Sequence, residues 1–448
     1  MTQSLSDLTD ALLLAAKKAG ADTADAMAYR QTSISIDVLG GKLEHAERSE
    51  GTDIGLRVLV GQRQACVSAS DLKPQTIETM AERAVAMARE APQDRNIGLA
   101  DPDQLSGNWD AGPLQLCDPA PEPDASVLED DARRAEAAAA NVQGIAQVQA
   151  ASAGYGQTQI HIAGTNGMSG GYKRTSRATS CIAITGTGTG MERDYFGDSR
   201  VFQSDLMSPE DIGLLAAERT LQRAGARKPK TGRFPVLYDE RIATSLIQHL
   251  LGAVNGGAIV RGSSWLRDAL GQQVLPLGLN VTENPHRPRT AGSRPFDAEG
   301  LATAPRNIID NGVLTGWTLD LATGRQLGMA STANATRGTS APPSPSNFNI
   351  ALTQGSASQS DLIRDMGTGL LVTSMIGSSI NSTTGDYSRG ASGFWVENGE
   401  ITYAVNECTI AGNLRDMLMS IVPANDARTH LAHVVPSLLV RDLTIAGE

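Results

Sequence analysis

The sequence predicts an α+β fold: an α/β N-terminal half with a sheet and flanking helices, then a mostly antiparallel β C-terminal half, barrel-like or sandwiched. Three observations lead there. Aromatic residues make up only 4% of the chain while glycines number 46, a balance that suits strands joined by tight turns. Helical spacing of apolar residues recurs as far as residue 224 but marks one main helix afterwards. At 448 residues the chain can build an ample core in two or three domains.

Residues 4–20 read as an amphipathic helix closed by Gly20. Alternation marks a strand over 26–38, which Gly40 and Gly41 turn into a second, with further strands at 52–60 and 64–69 around Gly61. Pro74 opens a helix to about residue 91, with Ile77, Ala81, Ala84, Val85 and Ala88 at helical spacing. The segment DPAPEPD at 118–124 is extended, since each proline biases its predecessor away from helix. An alanine-rich helix over 125–141 follows, then strands at 145–153, 157–163, 168–185 and 190–195 and a helix at 214–224. This organisation predicts an α/β subdomain over 1–117, a central α/β segment over 118–225 packing with it, and a β-rich C-terminal domain over 226–448. In that last part a strand at 235–238 precedes the main helix at 240–254. Strand pieces are expected at 301–302, 307–309, 314–321, 370–373, 393–397 and 438–443, the last but one closed by an Asn398-Gly399 hairpin turn. Residues 332–346, ending in APPSPS, read as a loop or flap.

A net charge of −11 opposes nonspecific nucleic-acid binding, which needs a basic face to displace counterions. The one dense basic run (Arg223, Arg227, Lys228, Lys230, Arg233) reads first as a solvated interdomain linker and second as a patch for an anionic partner. No apolar stretch approaches the ~20 residues of a membrane span. The four cysteines are scattered without a C-x-x-C pair, as in buried thiols of a reducing compartment. A cytoplasmic protein without membrane contact is expected.

Four motifs stand out: GGAIVRGSSW at 256–265, PFDAEG at 295–300, MGTGLLVT at 366–373, and GDYSRGASGFWVENGE at 385–400 followed by TIAGN at 409–413. In these motifs and their order the chain resembles the PmbA (TldE) side of the TldD/PmbA family, two-protein metallopeptidases also called modulators of DNA gyrase. The likeness runs from the first helix to PSLLV at 436–440. Active members resemble zinc peptidases with H-E-x-x-x-H on a helix and a C-terminal cysteine as third ligand. Two imidazoles about a turn apart can share one metal, and the glutamate can take a proton from metal-bound water. Here His249 holds the first ligand position, but Leu250 stands for the glutamate and Val254 for the second histidine. RTHLAHVV at 428–435 occupies the region of the missing cysteine. One ligand of three cannot hold catalytic zinc, so no metal, cofactor or catalytic residue is expected in this chain.

His249 then has two readings, a hydrogen-bonded core histidine or a remnant that touches substrate or partner. His430 and His433 lack a nearby acid or thiol other than Asp426, and His45 reads as an exposed strand residue. GASG at 390–393 is not a nucleophile elbow, GTGTG at 186–190 lacks the lysine of a phosphate loop, and Cys408 has no basic activator. A cleft for polypeptide remains, with His249, Arg261, Ser263, Asp386, Tyr387, Arg389 and Ser392 as candidates, against the alternative that these turns simply build the fold. The resemblance implies a TldD-like partner that brings zinc, and cleavage of unfolded or short polypeptides, including peptide-antibiotic precursors and antitoxin-like proteins. The isolated chain could pair with itself. A homo-oligomeric peptide-binding or scaffold protein without proteolytic role is the alternative.

Overall fold

The computed structural model describes residues 3–447. With 26% helix and 39% strand, it belongs to the mixed class the sequence predicts.

The first half is one layer of helices on one sheet. Helix α1 (Leu5–Ala19) has Ser4 in a capping box and Gly20 in the left-handed conformation at its end. Strands β1 (Thr23–Leu39), β2 (Lys42–Val60) and β3 (Arg63–Ala69) precede α2 (Pro74–Glu90) and α3 (Ala125–Ala140). Strands β4 (Ile145–Gly164), β5 (Ser169–Thr185) and β6 (Glu192–Arg200) lead to α4 (Pro209–Gln222). The six strands form a single antiparallel sheet in the order β3-β2-β1-β4-β5-β6. The separate strands expected at 145–153 and 157–163 are one strand, and the second strand continues unbroken into 52–60.

Strand alternation decides what each face does. On β1 the even-numbered Ala24, Ala26 and Ala28 pack under α1 and α2, and Ile34, Ile36 and Val38 under α3. The odd-numbered Asp25 and Met27 face the other way, where Met27 and Ile162 meet Phe296. One face thus carries the helices, and the second half of the chain covers part of the other.

That half begins with β7 (Gly232–Tyr238), α5 (Glu240–Ala253) and α6 (Gly256–Val260). Short strands β8 (Val281–Glu283), β9 (Arg306–Asp310) and β10 (Val313–Leu314) precede α7 (Leu321–Leu327). A ribbon of β11 (Ala335–Thr336) and β12 (Ser344–Pro345) comes before β13 (Ile350–Leu352) and α8 (Gln359–Met366). The long strands β14 (Gly369–Ile380), β15 (Asp386–Glu397) and β16 (Glu400–Asn413) follow, then α9 (Leu414–Met419), β17 (Val422–Pro423), β18 (His433–Val434) and β19 (Leu438–Ala446). Strands β16-β15-β14-β7-β19 close into a five-stranded barrel through pairing of β16 with β19. Its pairs are antiparallel except β14 with β7. Alternate residues divide between two cores: Val236, Tyr238, Leu370, Val372 and Trp395 join α5, while Leu237, Leu371, Phe394 and Val396 join α8.

Two expectations need correction, and a third, the flap at 332–346, gains detail while staying outside the large sheets. Residues 314–321 are not a strand: β10 ends at Leu314, and Asp320 caps α7 in a capping box with Thr323. Residues 301–302 make only isolated bridges. The flap is a hairpin pressed on the sheet, with Thr339 so close to Gly55 that a side chain there would start 2.2 Å from its carbonyl oxygen. Arg337 of this hairpin reaches buried Asp25, which also accepts from Arg57 Nε at 2.7 Å.

The basic run joins the two halves with Arg227, Lys228, Lys230 and Arg233 exposed, as a solvated linker would have them, and Arg223 is the exception. Arg223 is buried, 3.7 Å from Glu192 and from Asp194, and Arg227 lies over the Tyr403 ring. Lys228, Lys230 and Arg233 pair with Glu407, Glu397 and Asp442. Three of the exposed cations thus have a carboxylate beside them within the chain.

The PFDAEG motif builds the junction of the two halves. Asp297 accepts from the backbone N–H groups of Glu299, Leu301 and Ala335, and Glu299 from that of Leu321. Burial, then the charges of Asp297 and Asp320, push the Glu299 carboxyl well above its ordinary 4.5. A carboxyl raised in the fold favours the folded state fully below 4.5, and that contribution is lost as pH rises through the folded value. Glu299→Gln is therefore expected to gain stability relative to the parent as pH rises from 5 to 8. Parallel thermal melts across this range check it; curves that keep a constant offset would contradict it.

Candidate functional site

Helix α5 turns a polar stripe outward. Asp239 caps it, and Arg241, Thr244, Ser245, Gln248, His249 and Gly252 recur at helical spacing along one side. Leu246, Leu250 and Val254 face the core and are fully buried.

Beside this stripe, β7 pairs with β14 only from Leu370 to Val372. From Thr373 to Ile380 that edge of β14 has no strand partner among the described residues. Two adjoining hollows sharing Gln248 lie between α5 and this edge. One, of about 490 Å³, is lined by Arg241, Ser245, Met375, Arg389 and His433. The other, of about 400 Å³, is lined by His249, Arg261, Ser263, Trp265, Ser378 and Ser382. A larger hollow of about 750 Å³ opens nearby between the uncovered part of the sheet (Gln147, Ile182, Tyr195) and Ser374.

The structure thus brings together His249, Arg261 and Ser263 in one hollow and sets Arg389 in the next. Tyr387 lies beneath, 2% exposed, with its ring 6.0 Å from that of His249 and its hydroxyl 3.3 Å from Met375 Sδ. Asp386 and Ser392 stand apart from the hollows. Asp386 accepts from Thr384 Oγ1 at 2.6 Å within its turn and from Asn413 Nδ2 at 3.1 Å at the end of β16, and Ser392 accepts from Arg223 at 2.9 Å between the two halves. Gln248, Trp265, Ser378 and Ser382 were not among the candidates. The polar recurrence at 241, 244, 245 and 248 was the available signal for Gln248.

His249 is no hydrogen-bonded core histidine: its Nε2 is buried without a partner among the described residues. Burial, then the Arg389 charge, lowers its pKa, so the ring is neutral at pH 7. Neutral imidazole could ligate a metal, but the neighbouring motif positions present only the buried Leu250 and Val254. Among the described residues no three His, Cys, Asp or Glu side chains group as a metal site requires. His430 lies 3.6 Å from Asp198, far along the chain from His249. Burial pushes the Cys408 thiol up to about 11, and Sγ donates to the Ala391 carbonyl at 3.2 Å, so it is no nucleophile. The donor set does not fit zinc.

Three family profiles match in order: the PmbA/TldA metallopeptidase domain 1 over residues 24–88, the central domain over 118–224, and the C-terminal domain over 231–447. The chain is 38% identical to the metalloprotease PmbA of Escherichia coli O157:H7, over 98% of this chain and 95% of that one. A putative modulator of DNA gyrase from Bacteroides thetaiotaomicron superposes with a TM-score of 0.88 at 27% identity, over 99% and 98% of the two chains. TldE of Thermococcus kodakarensis superposes at 0.86 over 98% and 100%, and at 19% identity this likeness concerns the fold.

Proposed function

The chain belongs to the TldD/PmbA metallopeptidase family, as a TldD/TldE-type peptidase subunit, and we propose that it is the subunit without metal. Its partner is a TldD-like chain that brings zinc, the general-base glutamate and the cysteine. The single observation that carries this reading is the burial of Leu250 and Val254, which turns the metal-binding face of a zinc-peptidase helix into core. The α5 groove then serves to guide substrate, and the hollow between sheet and barrel contributes a wall of the shared chamber.

Substrates are unfolded or short polypeptides. An extended chain can add to the unpaired edge of β14 through main-chain hydrogen bonds, which tolerate varied side chains. We place the domains at 1–117, 118–225 and 226–448, and the complex in the cytoplasm.

The test is reconstitution. The chain alone is expected to leave a fluorescent unstructured polypeptide intact, and mixing it with the TldD-like partner should produce cleavage that a chelator abolishes. In that complex His249→Ala should act on KM and lower kcat/KM by less than about tenfold, as for a contact that is not a zinc ligand. A loss of kcat as deep as that from removing a zinc ligand of the partner would contradict the reading.

A further inference from the structure

The smaller hollow on α5 has an unbalanced charge. Its lining includes Gln248, His249, Arg261, Ser263, Ser378 and Ser382, and no carboxylate. The Arg261 guanidinium makes no ion pair or side-chain hydrogen bond among the described residues. Its neighbours along the groove are spoken for: Arg389 donates to the Gly377 carbonyl at 2.8 Å and Arg241 to Asp239 at 2.8 Å. Gly257 leaves room for Arg261, whose Nη1 lies 3.3 Å from where a side chain there would begin. The ring of His249 lines the same hollow, with its Nε2 buried beneath the surface.

A planar guanidinium with free donors, flanked by serines, matches a carboxylate better than any cation. The groove also ends here. The Trp265 N–H donates to the Ser382 carbonyl at 2.8 Å, tying the segment after α6 to the turn after β14 and closing that end. Trp265 and Ile380 supply apolar wall beside the charge. A polypeptide lying on the open edge of β14 meets a closed, anion-seeking, partly apolar end.

We propose that this closed end binds the free C-terminal carboxylate of an extended polypeptide. Arg261 holds it through paired N–H donors, Ser263, Ser378 and Ser382 assist, and Trp265 and Ile380 contact the last side chain. The inference rests on reading the α5 groove as a polypeptide site and gives that site a polarity. The chain's terminus is anchored here, and the residues before it lie along β14.

The test uses the full chain and a hexapeptide of alanine and serine ending in leucine, fluorescein-labelled at its N-terminus. Anisotropy titrations compare its free acid with its C-terminal amide. The acid is expected to bind about tenfold more tightly, the scale of one bidentate charge-assisted contact. Arg261→Gln should abolish the difference while Arg261→Lys keeps part of it, and exposure of this side chain leaves the thermal midpoint as a check on folding. Equal binding of acid and amide would overturn the carboxylate anchor and leave the groove reading standing. An amidated peptide with an internal glutamate that binds as tightly as the acid would overturn it too, assigning the site to side-chain carboxylates. Absence of binding by every peptide would overturn both.

Discussion

Asp25→Ala is expected to destabilise the protein by about 3–5 kcal/mol, the range for removing one partner from a buried ion pair. Asp25, Arg57 and the Arg337 side chain are 1%, 3% and 1% exposed. Burial alone would raise the Asp25 carboxyl, but Arg337 and Arg57 outweigh it and hold it below its usual range. Without the carboxylate two guanidinium groups would stay buried against each other. The easiest escape moves the hairpin that carries Arg337 off the sheet, which separates the N-terminal layer from the barrel domain. The thermal midpoint should fall by about 3–5 °C, and limited proteolysis should cut between β11 and β12, where the parent resists. Asp25→Asn, which keeps hydrogen-bond acceptance without the charge, should lie between. A midpoint within a degree or two of the parent would mean that the triad does not lock the two halves.

The second large effect concerns the metal. Restoring the two missing motif residues, Leu250→Glu with Val254→His, should leave the chain without zinc and cost about 4 kcal/mol or more. Both positions are fully buried among apolar side chains. A carboxylate there must desolvate or take up a proton, and the lost leucine contacts add to the cost. Among the described residues no set of ligands groups around His249: Cys408 donates to Ala391, His430 sits beside Asp198, and His433 lines the adjoining hollow. Urea midpoints and zinc content by elemental analysis check the claim. A stable double variant holding one zinc per chain would refute it.

Much of the fold was legible in residues whose local preference agrees with their tertiary role. Gly20 and Ser4 mark the ends of α1, the alternation of β1 separates helix face from domain face, and Asn398-Gly399 makes the hairpin its positive φ values of 53° and 78° require. Long strands were misread where glycine served packing. Gly156 sits inside β4 because a side chain there would start 2.8 Å from Ser176 Oγ, so its role lies in a neighbour distant in sequence. The strand expected at 314–321 gives way because Asp320 caps α7 there, starting a helix inside that range.

The candidate site was half legible for the same reason. His249, Arg261 and Ser263 follow from their place on and after α5, whereas Ser378 and Ser382 arrive from the other wall through barrel closure. Asp386 and Ser392 looked available in sequence, but their partners Asn413 and Arg223 come from elsewhere in the chain.

The central claim is that this chain is the metal-free half of a two-chain peptidase. Native mass spectrometry of the protein, tagged and purified gently from its own cells, addresses it directly. The account predicts a heteromeric mass containing zinc, in which the released chain of 448 residues carries none. Zinc that stays with this chain after dissociation would contradict it.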